Sequence, residues 1–316
     1  MRCARFARAL AAQHNADVTT EDHTATTGPL RYACEAAAFA ACYILLDWAS
    51  FIDPLGRFNI TAWNPQPALA IVWMTRAGIA QWPVVFLTLV VADVLIRDAP
   101  GGYAATAGSS FVLAAGYATI ALVLSRGLRH RDLQSTRDLA FFALTVVLGA
   151  AIVGGGYVNA LNAARLLPGI SITDAWLRFW LGDAVGILVT GPLLFALADE
   201  AQRRRLTARL RDPESWVWWG VLCALLWLVL RGVPHDVAPH LYVLLFVPVL
   251  CIALRSGMSG AVIAMVIVQL GVILGVRGDT GRQLSIVEMQ LLVCVLCVTA
   301  LFLAVVVEER RRARTA

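Results

Sequence analysis

Long apolar runs separated by short polar stretches recur along the chain from about residue 31 to residue 307. A membrane-spanning helix needs roughly 20 consecutive apolar residues, and most of these runs approach that length. The runs are 31–52, 66–76, 82–97, 104–126, 138–163, 175–198, 216–232, 240–255, 258–276 and 286–307. The pattern predicts an all-α fold, a polytopic transmembrane helix bundle of 8 to 10 spans, some of them short or broken.

Two pairs of short runs leave the number of spans open. The runs 66–76 and 82–97 are separated only by "TRAGIAQWP", and 240–255 and 258–276 only by "RSGMSG". Glycine or proline beside a charge can interrupt a helix, so two short or tilted helices joined by a tight turn are expected in each pair, with a re-entrant pair as the alternative. If each pair is one element instead, the number of spans is eight.

The two interruptions also indicate an internal repeat. When Arg76-Ala-Gly78 is laid on Arg255-Ser-Gly257, the flanking apolar runs coincide as well. Four spans would then be duplicated around a central pair, 138–163 and 175–198. Membrane transporters often have such repeats, with the binding site at the repeat interface.

Composition and charge agree with a lipid environment. Hydrophobic residues make up 59% of the chain and charged residues 15%, which is too few polar side chains for a soluble domain of this length. All basic residues are arginines, and they lie beside apolar spans, so the net charge of +5 predicts no nucleic-acid partner. With both termini cytoplasmic, the arginine clusters at 126–137, 203–211 and 310–314 share the inner side. The outer side then holds fewer arginines, Arg97 among them.

Asp183 is the most informative polar residue within the apolar runs, because a carboxylate at membrane depth is costly and is a candidate functional group. Gly182 and Gly186 flank it four residues apart, a spacing that lets another helix approach closely. Pro192 removes the hydrogen bond to the carbonyl of residue 188 and is expected to bend the helix. Asp183 either locks helix packing through a hydrogen bond or binds a ligand or proton; both alternatives stay open.

Other polar residues are candidates for the same interior site. Asn159 and Asn162 lie three residues apart in the preceding span and could be partners of Asp183. Asp93 and Asp47 also lie within spans and could extend a polar interior. All cysteines but Cys3 lie in apolar runs, and Cys294-x-x-Cys297 is expected to pack rather than to bind metal. His235 and His240 lie in a polar loop, and we predict neither a metal site nor a cofactor.

The sequence contains no phosphate-binding loop, nucleophile elbow, zinc-protease or kinase motif. Residues 1–30 are polar or weakly amphipathic and are predicted to be a disordered cytoplasmic tail. No loop between spans exceeds about 20 residues, which is too short for a soluble domain. We therefore predict no enzymatic activity.

Several stretches together resemble the MASE1 family of bacterial integral membrane sensor domains. They are "AWNPQPALAIVW", "RAGIAQWPVVFLTLVVADVL", "FWLGDAVGILVTGPLLFAL" and "LRSGMSGAVIAMVIVQLGVILG" leading to "LFLAVVVEERRRAR". The most specific part extends from Gly182-Asp183 to Pro192, and the element Trp63-x-Pro65 is supportive. The family usually has glycine after that element, whereas this chain has Pro67 and Ala68, which bears on how the second helix begins.

The resemblance implies a sensor domain over residues 31–307, followed by a cytoplasmic tail or the start of a signalling helix at 308–316. Such domains typically precede histidine kinase, diguanylate cyclase or PAS domains, so an output domain in cis or in trans is the expected partner. The expected location is the bacterial inner membrane, with a small-molecule ligand of unknown identity and a possible homodimer. The chain would be either a stand-alone sensor subunit or part of a longer protein. The alternative function is a small transporter or permease with an acidic site inside the membrane, and a third is a scaffold whose spans only recruit partners.

Overall fold

A computed structural model describes residues 28–51, 54–55, 58–61, 63–130, 133–232, 241–276 and 286–315. The predicted tail at 1–30 lies almost entirely outside these residues, as do His235 and His240. The chain divides into two compact units, residues 1–41 and 42–316. The described part of the first unit, residues 28–41, is almost wholly the beginning of the first helix; its exposed side chains include an ion pair between Arg31 and Glu35 at 3.0 Å.

The described residues form ten α-helices and no strand, which confirms the all-α prediction. The helices are α1 (Pro29–Ser50), α2 (Gln66–Ala77), α3 (Trp82–Arg97), α4 (Tyr103–Gly127), α5 (Thr136–Ala163), α6 (Ile172–Ala198), α7 (Glu200–Arg211), α8 (Pro213–Trp227), α9 (Phe246–Val276) and α10 (Ile286–Thr315). A 3-10 turn at Ile79–Gln81 joins α2 to α3, a π-helical turn at Leu228–Gly232 follows α8, and a 3-10 turn at Tyr242–Leu245 precedes α9.

Eight elements within the described residues are long and apolar enough to cross a membrane. The run 66–76 forms only the short helix α2, whereas 82–97 forms α3 and counts as a span. The runs 240–255 and 258–276 contribute to a single candidate span, in which two helical segments meet at a kink at Gly257. Helix α7 is polar, and the apolar pattern gave no indication of it.

The two glycines aligned by the proposed repeat both interrupt helical geometry. Gly78 has φ 101° and ψ 153°, and Gly257 has φ 62° and ψ −153°. This region of backbone space is accessible essentially only to glycine, because any side chain would clash with the backbone. The predicted repeat therefore aligns two positions at which a glycine with positive φ interrupts the helical backbone.

Helix α6 lies at the centre of the second unit. It packs against α2 and α5, which precede it in the chain, and against α7, α9 and α10, which follow it. It is the most buried of the eight candidate spans. Large apolar side chains such as Leu95 and Ile152 are exposed on the surrounding helices, as expected where helices face lipid. Both predicted halves thus contact one central helix.

Candidate functional site

A non-helical segment between α1 and α2 reaches into the helix bundle. Its described residues from Phe58 to Thr61, together with Asn64 and Pro65, are all buried. The Asn59 N–H donates to the Tyr157 hydroxyl at 3.3 Å, and the Asn64 N–H donates to the Gly182 carbonyl at 3.1 Å. Irregular backbone at membrane depth is tolerated where protein surrounds it and satisfies its polar groups. These contacts meet that requirement.

Asp183 is fully buried in α6 and accepts hydrogen bonds through both carboxylate oxygens. The side-chain amide of Asn64 donates to Oδ1 at 2.7 Å, and the Tyr117 hydroxyl donates to Oδ2 at 2.8 Å. The Asn64 Oδ1 atom in turn accepts from Thr61 Oγ1, so the orientation of the amide is determined by its neighbours. No ion pair to Asp183 is present among the described residues. Asp183 therefore joins the buried segment to α4 through neutral donors.

The spacing Gly182-x-x-x-Gly186 allows a close approach, but the partner is not a helix. A Cβ atom at Gly186 would lie 1.8 Å from the Asn64 carbonyl oxygen and 3.1 Å from the Pro65 nitrogen. The non-helical segment, rather than another helix, therefore packs directly on the backbone of α6. This corrects the expected contact between two helices. The physical reason is that Gly186 has no side chain, which leaves room for the backbone of Asn64 and Pro65.

Arg97 is the centre of a second buried polar group. Its guanidinium donates to Asp47 through both terminal nitrogens, at 2.9 and 2.6 Å, and to Asp93 at 2.7 Å. It also donates to Asn59 Oδ1 at 2.9 Å, and it lies 5.0 Å from the centre of the Phe51 ring. Arg97 is only 3% exposed, so its side chain lies inside the protein rather than on its surface. The two carboxylates hold its charge inside the protein.

The two polar groups are connected through the buried segment. Gln66, the first residue of α2, donates to Asp47 Oδ1 at 3.0 Å and accepts from Ser50 at 3.3 Å. Asn59 contacts Arg97 and Asn64 contacts Asp183, five residues further along the same segment. The interior formed by these described residues contains three carboxylates and one guanidinium. The expected polar interior of Asp47, Asp93 and Asp183 is thus present, although none of the three bonds to another.

Pro192 lies inside α6, where it leaves the carbonyl of Leu188 without a donor four residues later. The thiol of Cys297 in α10 lies 3.5 Å from that carbonyl oxygen and donates to it. Cys297 is fully buried, in agreement with its predicted packing role. The proline therefore exposes a backbone acceptor that α10 uses.

Asn159 and Asn162 do not contact Asp183. Both are exposed, and the Asn159 side chain donates to the Gly155 carbonyl of its own helix at 2.7 Å. The neighbouring positions on the buried face of α5 are Tyr157 and Leu161, because helical periodicity turns Asn159 and Asn162 away from the interior. The expected pairing of these asparagines with Asp183 is corrected accordingly.

Trp63 and Pro65 lie in the buried segment beside Asn64. The Trp63 carbonyl accepts from Thr61 at 3.3 Å, and the Pro65 carbonyl accepts from the Ala68 N–H at 3.1 Å. Pro67 occupies the first turn of α2, where a backbone N–H would have no partner within the helix, so the N–H that proline lacks is not needed. The departure from the family pattern therefore leaves the start of the helix intact.

Sequence reasoning missed the residues that contact the carboxylates. They are Asn64, Gln66, Arg97 and Tyr117, and it also missed Asn59, which accepts from Arg97. Asn64 and Gln66 flank Pro65 in the sequence, and two amides beside a proline before an apolar run were an available signal. Within the described residues, no group of three or more His, Cys, Asp or Glu side chains could hold a metal ion.

These features define a polytopic helical membrane protein with a buried polar site on its central helix. The family model for MASE1, a membrane-associated sensory domain family, matches residues 32–311. The chain belongs to the MASE1 family. No curated protein and no solved structure matches the chain.

Proposed function

We propose that the chain is an input module of bacterial signal transduction in which a rearrangement around Asp183 is transmitted through α6 to α10. The output would be a histidine kinase or diguanylate cyclase domain, in cis or in trans, beyond the cytoplasmic end of α10. Membership of a sensory family supports the class of function. Two packings of a helix pair that differ in free energy by a few kcal/mol are sufficient for such a switch.

The observation that carries this proposal is the position of α6. On one side, Asp183 binds Asn64 and Tyr117; five residues further, Leu188 accepts from Cys297 of α10. A shift of α6 that changes the first contacts therefore also changes the last one. Neutral donors hold Asp183, so a ligand or proton that alters its hydrogen bonds would bias the packing without first breaking a salt bridge.

A chimera tests the proposal. The chain through Arg314 is fused in helical phase to a reporter histidine kinase and assayed in membranes against panels of metabolites, pH and redox conditions. Asp183→Asn places an amide N–H₂ where Asn64 or Tyr117 donates, so a regulated response should be lost. Asp174→Asn, an exposed position in the first turn of the same helix, should keep it. If every helical phase gives an unregulated kinase while the protein is inserted and folded, the sensor proposal fails.

A transporter is the second candidate, and the charge of the buried network favours it. Asp47 and Asp93 share one guanidinium, and Asp183 has no ion pair among the described residues. Buried carboxylates in excess of cations are common where transporters bind ions or protons. Purified chain in proteoliposomes should then acidify or alkalinise the lumen under an imposed gradient, and Asp183→Asn should abolish the flux. Absence of flux with intact ligand responses in the chimera would exclude this function.

A further inference from the structure

A cavity of about 510 Å³ opens where α7, the break in α9 and the end of α10 meet. Its size is within the range of small-molecule sites. Its charged lining residues are Arg205, Arg209, Arg311, Arg312, Asp212 and Glu308. Four guanidinium groups face two carboxylates, so the lining has a formal excess of two positive charges. A dianion would neutralise it.

Glu308 already occupies the anionic position of this cavity. Its Oε1 accepts from Arg205 at 3.0 Å and from Arg312 at 3.1 Å. Its Oε2 accepts from the N–H of Met258 at 3.5 Å, directly after the break at Gly257. An N–H at the start of a helical segment has no partner within the helix and favours a negative charge. The carboxylate of Glu308 therefore occupies a position where an anion from outside the protein could also bind.

Gly257 makes this contact possible. A Cβ atom there would lie 3.0 Å from Glu308 Oε2, and the backbone conformation admits only glycine. On the other side of the break, Arg311 donates to the carbonyls of Leu254 at 2.8 Å and Arg255 at 3.3 Å. A cation is favourable at the end of a helical segment, as an anion is at its start. The polar end of α10 therefore binds both termini that the break exposes.

We propose that this cavity binds a phosphate-bearing anion, which competes with Glu308 for Arg205 and Arg312 and so loosens the end of α10. A phosphate group is a better partner for two guanidinium groups than a single carboxylate is, because it offers more acceptor oxygens and more negative charge. The arginines are half-exposed, Arg205 at 54% and Arg312 at 47%, so an incoming anion can reach them. The anion is either the headgroup of an anionic lipid or a soluble phosphate compound.

The test uses the full chain in nanodiscs. In one arm, sodium pyrophosphate is titrated into nanodiscs of phosphatidylcholine, with calorimetric detection. In the other, the melting temperature is compared between discs with and without phosphatidic acid. Saturable binding in the first arm alone identifies a soluble anion, and a melting shift in the second alone identifies a lipid. If neither arm responds, the proposal is overturned.

Variants separate the cavity from general surface charge. Arg205→Gln with Arg312→Gln should weaken binding by at least about tenfold, because the two guanidinium groups for which the anion and Glu308 compete are both lost. The matched control, Arg203→Gln with Arg204→Gln, removes two exposed charges of α7 that do not line the cavity, and should change affinity by less than about twofold. Equal losses in both double variants would show diffuse attraction and overturn the proposal.

Glu308→Gln gives the opposite sign and does not depend on the folding of the arginine variants. The glutamine has the same shape but no charge to compete, so binding should tighten by about threefold or more. A merely structural carboxylate would give unchanged or weaker binding when neutralised. Either of those results would show that Glu308 and the anion do not compete.

Discussion

The thiol of Cys297 donates to the carbonyl of Leu188, 3.5 Å away, at the backbone position that Pro192 leaves without a helical partner. The contact joins the central helix to the last helix, about one turn beyond Asp183. A proline in a transmembrane helix frees a carbonyl, and a neighbouring helix can satisfy it. In this protein the neighbour is the helix that leads towards the proposed output.

This relationship predicts coupling between Pro192 and Cys297. Pro192→Ala restores an N–H that competes for the Leu188 carbonyl, and Cys297→Ala removes the thiol donor. The free energies of unfolding of the two single variants and the double variant should be non-additive by about 0.5 kcal/mol or more. Reversible unfolding in mixed micelles measures it. The control is the same cycle with Cys294→Ala in place of Cys297→Ala. If the effects of Pro192→Ala and Cys297→Ala on the free energy of unfolding are additive, this contact does not couple α6 to α10.

Gly186 should tolerate no side chain. Gly186→Ala would place Cβ 1.8 Å from the Asn64 carbonyl, and a backbone atom cannot move aside as a flexible side chain can. We expect a loss of about 1–3 kcal/mol in the free energy of unfolding, the range for overpacking. Circular dichroism during thermal unfolding in detergent measures the change. Gly220→Ala, at an exposed helical position with no atom within 4 Å of the added Cβ, should be neutral or stabilising. Equal stability of the two variants would contradict the close approach.

Arg97 should be essential for folding stability. Arg97→Gln leaves Asp47 and Asp93 buried without their cation, at a cost of about 3–5 kcal/mol. Adding Asp47→Asn should recover part of the loss, because one uncompensated carboxylate is removed. The measurement is the midpoint of reversible unfolding in micelles, with Arg126→Gln at an exposed position as the control. A double variant less stable than Arg97→Gln alone would argue against the ion pair.

Asp212 should make helix α8 sensitive to acid. Hydrogen bonds from Ser215 and from the N–H of Glu214, together with Arg209, hold the pKa of the Asp212 carboxyl below its usual value of 3.8. A lowered pKa adds stability that is fully present above the usual value and is lost as pH falls through the lowered one. The difference in melting temperature between wild type and Asp212→Ala should therefore shrink below about pH 4. Asp212→Ser, which keeps a capping oxygen without charge, should show a difference from Asp212→Ala that does not depend on pH.

The sequence alone determined the membrane environment, the helical class and the positions of most spans, because apolar length is a local property and lipid imposes helices on such runs. It also identified Asp183, Gly186 and Pro192 as unusual, since each departs from an ordinary apolar span. Only the tertiary structure decided their partners. Asn64 and Asp183 are 119 residues apart in the sequence. The non-helical segment that contains Asn64 has no periodic pattern of apolar residues. The sequence suggested nearby asparagines in the preceding span, but in the structure Asp183 bonds to Asn64 of a non-helical segment that packs on the backbone of α6, because Gly186 has no side chain to hold that segment away.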